Sequence, residues 1–212
     1  MNIIKRPFRY SNTNTVFVLI GVNVLVYIIM QLSGGYRSPL ILYLAMNPRI
    51  VMSLGWVWQF VTYMFVHDPH SIMHLVFNMF ALLIFGQQVE HQMGSREFLL
   101  YYFLTGILAG IFSFFVYLFT GSMVFLMGAS GALFAIQLAF AVFFPRRIIY
   151  IWGILPLQAN ILVLGVTGIQ IISMLSARGS NVAHITHLAG FAFGWLYFMM
   201  RFGIDPWKAM RR

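Results

Sequence analysis

Four residues of this 212-residue chain have types and positions that could do chemistry: Ser130, His187, His74 and Asn78. Each sits within or at the edge of an apolar run, where a polar side chain is costly and usually marks function. Serine is a poor nucleophile until a base takes its proton, and histidine is the usual base near neutral pH. Ser130 and His187 could therefore act as a nucleophile and base pair. Acyl transfer also needs donors aimed at the developing oxyanion. His74 and Asn78, at i and i+4 in SIMHLVFNMFALL, share a helix face and can point at one spot. The backbone N–H of Ser130, at a helix start with Gly128 just before it, adds a donor and a favourable dipole. No Asp or Glu lies where it could orient the imidazole, so triad logic is only partly met and something else, such as ring stacking, must hold the base.

The elements that must position these groups follow from composition. Hydrophobic residues make up 61% of the chain and charged residues 8%, where a soluble domain has roughly half and a quarter. Four acids and 13 bases cannot cover a water-soluble surface, so most of the exterior must face lipid. The bases are scattered rather than striped, which argues against nucleic acid despite a net charge of +9. With no Cys, disulfide frameworks, Cys-based zinc sites and thiol nucleophiles are excluded. Spanning a bilayer takes about 20 mostly apolar residues. Candidate spans are Thr15–Leu32, Ile72–Val89, Phe98–Phe119, Ser130–Phe144, Ile148–Leu175 (interrupted at Pro156, with the true span starting after it) and His184–Met200. The first is preceded by Lys5, Arg6 and Arg9, yet its apolar run is too long for a signal peptide and no cleavage site follows, so it reads as a retained span. Ser33–Ser71, with its glycines, prolines and aromatics, reads as a loop lying in the membrane interface. The expected fold is all-α: one polytopic domain over residues 1–212 with six transmembrane helices.

Six spans put both termini on one side, together with Lys5, Arg6, Arg9, Arg96, Arg146, Arg147, Arg201, Lys208, Arg211 and Arg212. Arg37, Arg49 and Arg178 remain on the other. Ten bases against three make the termini cytoplasmic. From His74 to Glu90, and from Ser130 to Arg146, is 16 residues; from His187 to Arg201 is 14. At 1.5 Å per residue these are roughly 24, 24 and 21 Å. In a hydrocarbon core of about 30 Å, the three polar groups share one level below the outer surface. Each signal alone has a bland reading. A GxSG run is usually small-residue packing, and a lone intramembrane His or Asn can simply bond a neighbouring helix. Gly190 and Gly194 read as packing residues that let span six approach span four, His184 as loop or rim, and Glu90 as a structural acceptor.

Three stretches carry a resemblance: TYMFVHDPHSIMHLVFNMFALLIFGQQVE (Thr62–Glu90), GASGALFA (Gly128–Ala135) and AHITHLAGFAFG (Ala183–Gly194). Their order and spacing are similar to those of the rhomboid intramembrane serine proteases, over essentially the whole chain. The resemblance implies a bundle of the bacterial six-span type, with Ser130 as nucleophile, His187 as general base, and His74, Asn78 and the Gly128–Ser130 backbone as the oxyanion site. It implies cleavage of single-span membrane protein substrates near the outer face, contact with membrane lipid, no cofactor and no metal; the minimal span count and the charge bias point to a bacterial inner membrane as the location, with a eukaryotic membrane as the alternative. It also implies gating by span five, about Gln158–Leu175, and by a lid at Ala177–Ala183. Two positions depart from the family pattern. Trp58-Gln59 stands where a Trp-Arg pair is common, which puts loop anchoring in question. Phe134 stands where some members stack a Tyr on the catalytic His, and it can stack equally well.

Rival readings remain. Five of the six His lie on the outer half, and His70/His74 have an i, i+4 ligand spacing, which would suit a metal-dependent membrane enzyme. A catalytically inactive membrane chaperone or a transporter would use the same polar residues as helix glue. Natural substrate and oligomeric state are not legible in the residues.

Overall fold

The computed structural model describes residues 8–122, 124–151, 153–176 and 182–212. Helix α1 (Thr15–Leu32) follows an irregular N-terminal segment. Its first turn is capped from a distance: Glu90 Oε1 accepts the Thr15 N–H and hydroxyl, each at 2.7 Å, and Oε2 accepts the Val16 N–H at 3.0 Å. A carboxylate at a helix N-terminus satisfies orphan donors and complements the dipole. Glu90 is thus the structural acceptor expected of it.

The segment from 33 to 71 is built of short helices: α2 (Pro39–Leu44), α3 (Pro48–Leu54) and α4 (Gln59–Thr62), with single 3₁₀ turns at Gly35–Arg37 and Tyr63–Phe65. Ser38 and Asn47 cap α2 and α3, each followed by Pro at the first helical position, where a missing N–H costs nothing. Gln59 is fully buried: its Nε2 donates to the Leu42 carbonyl at 2.6 Å and its Oε1 accepts the Asn47 N–H at 3.1 Å. A neutral amide therefore ties the loop together where a guanidinium would need a counter-charge. Trp58 Nε1 donates to the Tyr43 carbonyl at 2.9 Å, and Trp56 stacks between Tyr43 and Trp58.

Helix α5 (Ile72–Ala81) passes through a π-helical stretch, Leu82–Gly86, into α6 (Gln87–Met93). Then come α7 (Ser95–Thr120), α8 (Ser130–Phe143), α9 (Ala159–Ser176) and α10 (Val182–Tyr197), which ends in a second π stretch at Phe198–Phe202. A short α11 (Pro206–Met210), capped by Asp205, follows. Four stretches are long and apolar enough to cross a membrane: Thr15–Leu32, Ile72–Met93, Ser95–Thr120 and Ala159–Ser176. Ser130–Phe143 is apolar but shorter. It is also the most enclosed helix, with all but three of its residues buried.

One departure from the all-helical expectation concerns Ile148–Leu175. Its first part forms a two-stranded antiparallel hairpin, β1 (Ile148–Ile151) and β2 (Leu155–Gln158), with Tyr150 opposite Pro156 and Gly153 at φ +70° in the turn. The interruption at Pro156 marks the hairpin, and α9 begins beyond it. The expected lid at Ala177–Ala183 lies outside the described residues except for Val182 and Ala183, which open α10.

Helices α7, α8 and α10 form the centre. Small residues set their separation: a Cβ on Gly190 would overlap the Gly131 carbonyl, and one on Gly194 would lie 2.6 Å from the Tyr101 hydroxyl. Such contacts let helix backbones approach closely. Polar pairs fix the register. Ser113 and Thr186 hydroxyls meet at 2.7 Å between α7 and α10, and Tyr101 Oη donates to the Ala135 carbonyl at 2.7 Å between α7 and α8. At the far end, Arg201 grips Glu97 in a fork: Nε to Oε1 at 2.7 Å and Nη2 to Oε2 at 2.8 Å. Bidentate geometry makes this the strong form of a buried ion pair.

Candidate active site

Ser130 is the first residue of α8, so its N–H has no acceptor within the helix. The chain reaches it through a segment stitched to the rest of the molecule. Met46 and Leu126 exchange backbone hydrogen bonds, and the Gly128 N–H donates to the Tyr63 carbonyl at 3.0 Å. Gly128 itself has φ +112°, a region that L side chains rarely occupy.

From α10, His187 extends Nε2 to within 2.7 Å of Ser130 Oγ. The close approach allowed by Gly190, one turn further along α10, makes that distance possible. The Phe134 ring, one turn into α8, stacks on the imidazole with centroids 4.4 Å apart and planes 11° apart. Stacking covers a face of the ring and leaves its two nitrogen edges available for contacts in the ring plane. One edge faces the serine hydroxyl. The other, Nδ1, lies 3.1 Å from Gln170 Oε1 on α9, and the same oxygen lies 2.6 Å from His184 Nδ1.

On the opposite side of Ser130 stands His74 of α5. Its Nδ1 accepts the Asp68 N–H at 3.3 Å, so the ring proton belongs on Nε2. That Nε2 faces Gly128 closely: a Cβ there would sit 2.9 Å from Nε2 and 3.8 Å from Ser130 Oγ. The missing side chain leaves a cradle between an N–H donor and the serine oxygen. His67, in the loop before α5, packs its ring at 5.1 Å from that of His74. Burial pushes the His67 imidazole down to about 3, which keeps it neutral beside its neighbour. Asn78 is buried one turn below His74, and its Nδ2 donates to the His74 carbonyl at 2.7 Å. One amide hydrogen is spent on that bond, and Oδ1 has no partner among the described residues.

Ser130, His187, His74 and Gly128 are thus gathered at one point, with Asn78 just below it. Ser130, His187 and His74 are only half-buried, so the group is not sealed within the protein. A hydroxyl that can pass its proton to an imidazole, with N–H donors on its other flank, can carry out acyl transfer.

The sequence reading missed two features. His184 lies within α10, bonded to Gln170, and is not on a loop. Gln170 itself passed unnoticed, although a lone amide in LGVTGIQIIS was a signal of the same kind as the others. The proposed His70/His74 ligand pair does not form. His70 precedes α5, donates its N–H to Asp68 Oδ1 at 2.9 Å and stacks on Tyr36 at 4.5 Å, away from the site. Among the described residues no three His, Asp or Glu side chains converge as a metal group.

A family model, the Rhomboid domain, matches residues 54–204. The chain is also similar to "Rhomboid protease GluP" of Bacillus subtilis (strain 168), with 30% identity over 129 residues. That alignment covers 60% of this chain and 24% of the relative, so the chain spans about a quarter of that protein's length. The family model takes in the loop before α5 and every helix from α5 to α10, which together bear every side chain at the candidate site: this integral membrane protein belongs to the rhomboid family.

Proposed function

We propose that the chain is an intramembrane serine endopeptidase that cleaves single-span membrane proteins near the outer membrane face. The observation that carries this reading is the 2.7 Å contact between Ser130 Oγ and His187 Nε2, made between two apolar helices at a point that is only half-buried. Its support is membership of the rhomboid family.

A substrate helix enters laterally, unwinds, and offers a carbonyl carbon to Ser130 Oγ. His187 Nε2 takes the hydroxyl proton as the bond forms, and returns it to the leaving amine as the peptide C–N bond breaks. Charge developing on the carbonyl oxygen is met by the His74 Nε2–H, the Ser130 N–H and the remaining Asn78 amide hydrogen. Gly128 keeps the space for that oxygen clear. Water then attacks the acyl-enzyme with His187 again as base. No cofactor enters the scheme. The reading includes six membrane spans, with the shorter α8 and the π-extended α10 among them, cytoplasmic termini and a bacterial inner membrane.

The test is labelling with a fluorophosphonate probe alongside cleavage of a reporter single-span substrate. Labelling and cleavage are expected of the natural chain and of neither Ser130→Ala nor His187→Ala. Cleavage that survives Ser130→Ala but is abolished by a chelator would overturn the reading in favour of metal chemistry.

A further inference from the structure

The base has an oriented partner that lies on neither of the helices forming the Ser130–His187 contact. Gln170 comes from α9, and its Oε1 lies within reach of two imidazole Nδ1 atoms, 3.1 Å from His187 and 2.6 Å from His184. An amide oxygen has two lone pairs and only accepts, so two Nδ1–H donors satisfy it. If His187 carries its proton on Nδ1, its Nε2 is a bare lone pair facing Ser130 Oγ. With the proton on Nε2 instead, the ring would present a donor to the hydroxyl and could not take its proton. A neutral imidazole populates both forms unless something selects one. Stacking on Phe134 fixes the plane of the ring but is blind to which nitrogen bears hydrogen.

We infer that Gln170 is a positioning residue for the general base, its Oε1 accepting the His187 Nδ1–H and so selecting the tautomer that can accept the Ser130 proton. This rests on the serine-protease reading above. When the proton moves from Ser130 Oγ to His187 Nε2, the imidazolium keeps its Nδ1–H on Gln170, and no other proton changes place. Among the described residues, the groups facing the ring are His184 on its own helix, His74 across the site and Ser130, with no carboxylate among them. A neutral amide thus serves where a triad would use an acid. In the same arrangement His184 Nδ1–H takes the second lone pair of that oxygen.

The location of Gln170 gives the interaction a further consequence. In α9, 17% of the span is buried inside the protein, against 44% in α7. The base is therefore oriented by the least buried of the four long apolar spans, and its tautomer depends on where α9 sits.

The experiment measures, in one membrane preparation, the pH dependence of fluorophosphonate labelling and of reporter-substrate turnover for the natural chain, Gln170→Leu, Gln170→Glu and Ser130→Ala. Gln170→Leu is expected to lower the labelling rate and kcat at least about 10-fold, with KM changed less than about twofold, because only the population of competent base falls. Gln170→Glu is isosteric and keeps the packing. It is expected to stay active and to move the acidic limb of the profile up by about one unit or more, as a carboxylate beside an imidazolium favours the charged form. Should Gln170→Leu label at the natural rate, or Gln170→Glu leave the acidic limb where it was, Gln170 does not position the base. Labelling that persists in Ser130→Ala would instead bring down the underlying protease reading, so the two failures are told apart.

Discussion

At the scale of single residues, the candidate site depends on space as much as on donors. Gly128 combines a positive φ with the absence of a Cβ that would lie 2.9 Å from His74 Nε2. Gly128→Ala is therefore expected to fill the oxyanion cradle and strain the backbone, cutting reporter cleavage by at least about 100-fold, the scale of losing one oxyanion donor. His74→Ala should cost on the order of 100-fold in kcat for the same reason, with labelling by the probe weakened in parallel. Wild-type turnover in either variant would remove that side of the pocket from the mechanism. Phe134→Tyr retains the stack and is expected to leave turnover within a few-fold; here the departure from the family pattern concerns only a hydroxyl. Ser130, His187, His74 and Asn78 were all legible in the sequence because a polar group in an apolar run is conspicuous. Gln170 was equally conspicuous but had no motif around it, and its importance lies in a contact made across helices, which spacing along one chain does not reveal.

Among the elements, the α8–α10 contact is the one on which the site stands. Gly190→Ala drives a methyl into the Gly131 carbonyl, and overpacking of this kind costs about 1–3 kcal/mol or more. The variant is expected to lose both labelling and thermal stability. Gly165→Ala, in α9, meets nothing within 4 Å and replaces a poor helix former, so its unfolding midpoint in detergent should be unchanged or raised. Glu90→Ala tests a different joint. It strips the cap from α1 and leaves the Ser95 hydroxyl, 2.5 Å from Oε1, without that acceptor. A loss of about 1–3 kcal/mol in stability is expected, with labelling per folded molecule preserved. Hydropathy made the long apolar helices readable. It did not distinguish the β1–β2 hairpin, because Ile148–Gln158 is a short apolar run of β-branched and aromatic residues, which periodicity cannot separate from a buried helix. Nor did it show the π stretches at Leu82–Gly86 and Phe198–Phe202, which change the rise per residue and so make depths counted along α5–α6 and α10 approximate.

For the molecule as a whole, the charge bias implies an orientation that can be measured directly. The chain has no Cys, so single cysteines report without background. In intact cells, Arg37→Cys is expected to react with a membrane-impermeant maleimide and Arg211→Cys to react only after the membrane is permeabilised. The reverse pattern would invert the proposed topology and put the serine on the cytoplasmic side. The packing also divides the bundle unequally. Helix α10 is tied at one end through Arg201 and Glu97 and along its length by Thr186 and Gly190, whereas α9 rests on little protein. A segment held mainly by acyl chains takes its tilt from their length. Hydrolysis should accordingly run at different rates in vesicles of short-chain and long-chain phosphatidylcholine, and the ratio should flatten in Gln170→Leu: through its least anchored member, the protein would read the thickness of the sheet that dissolves it.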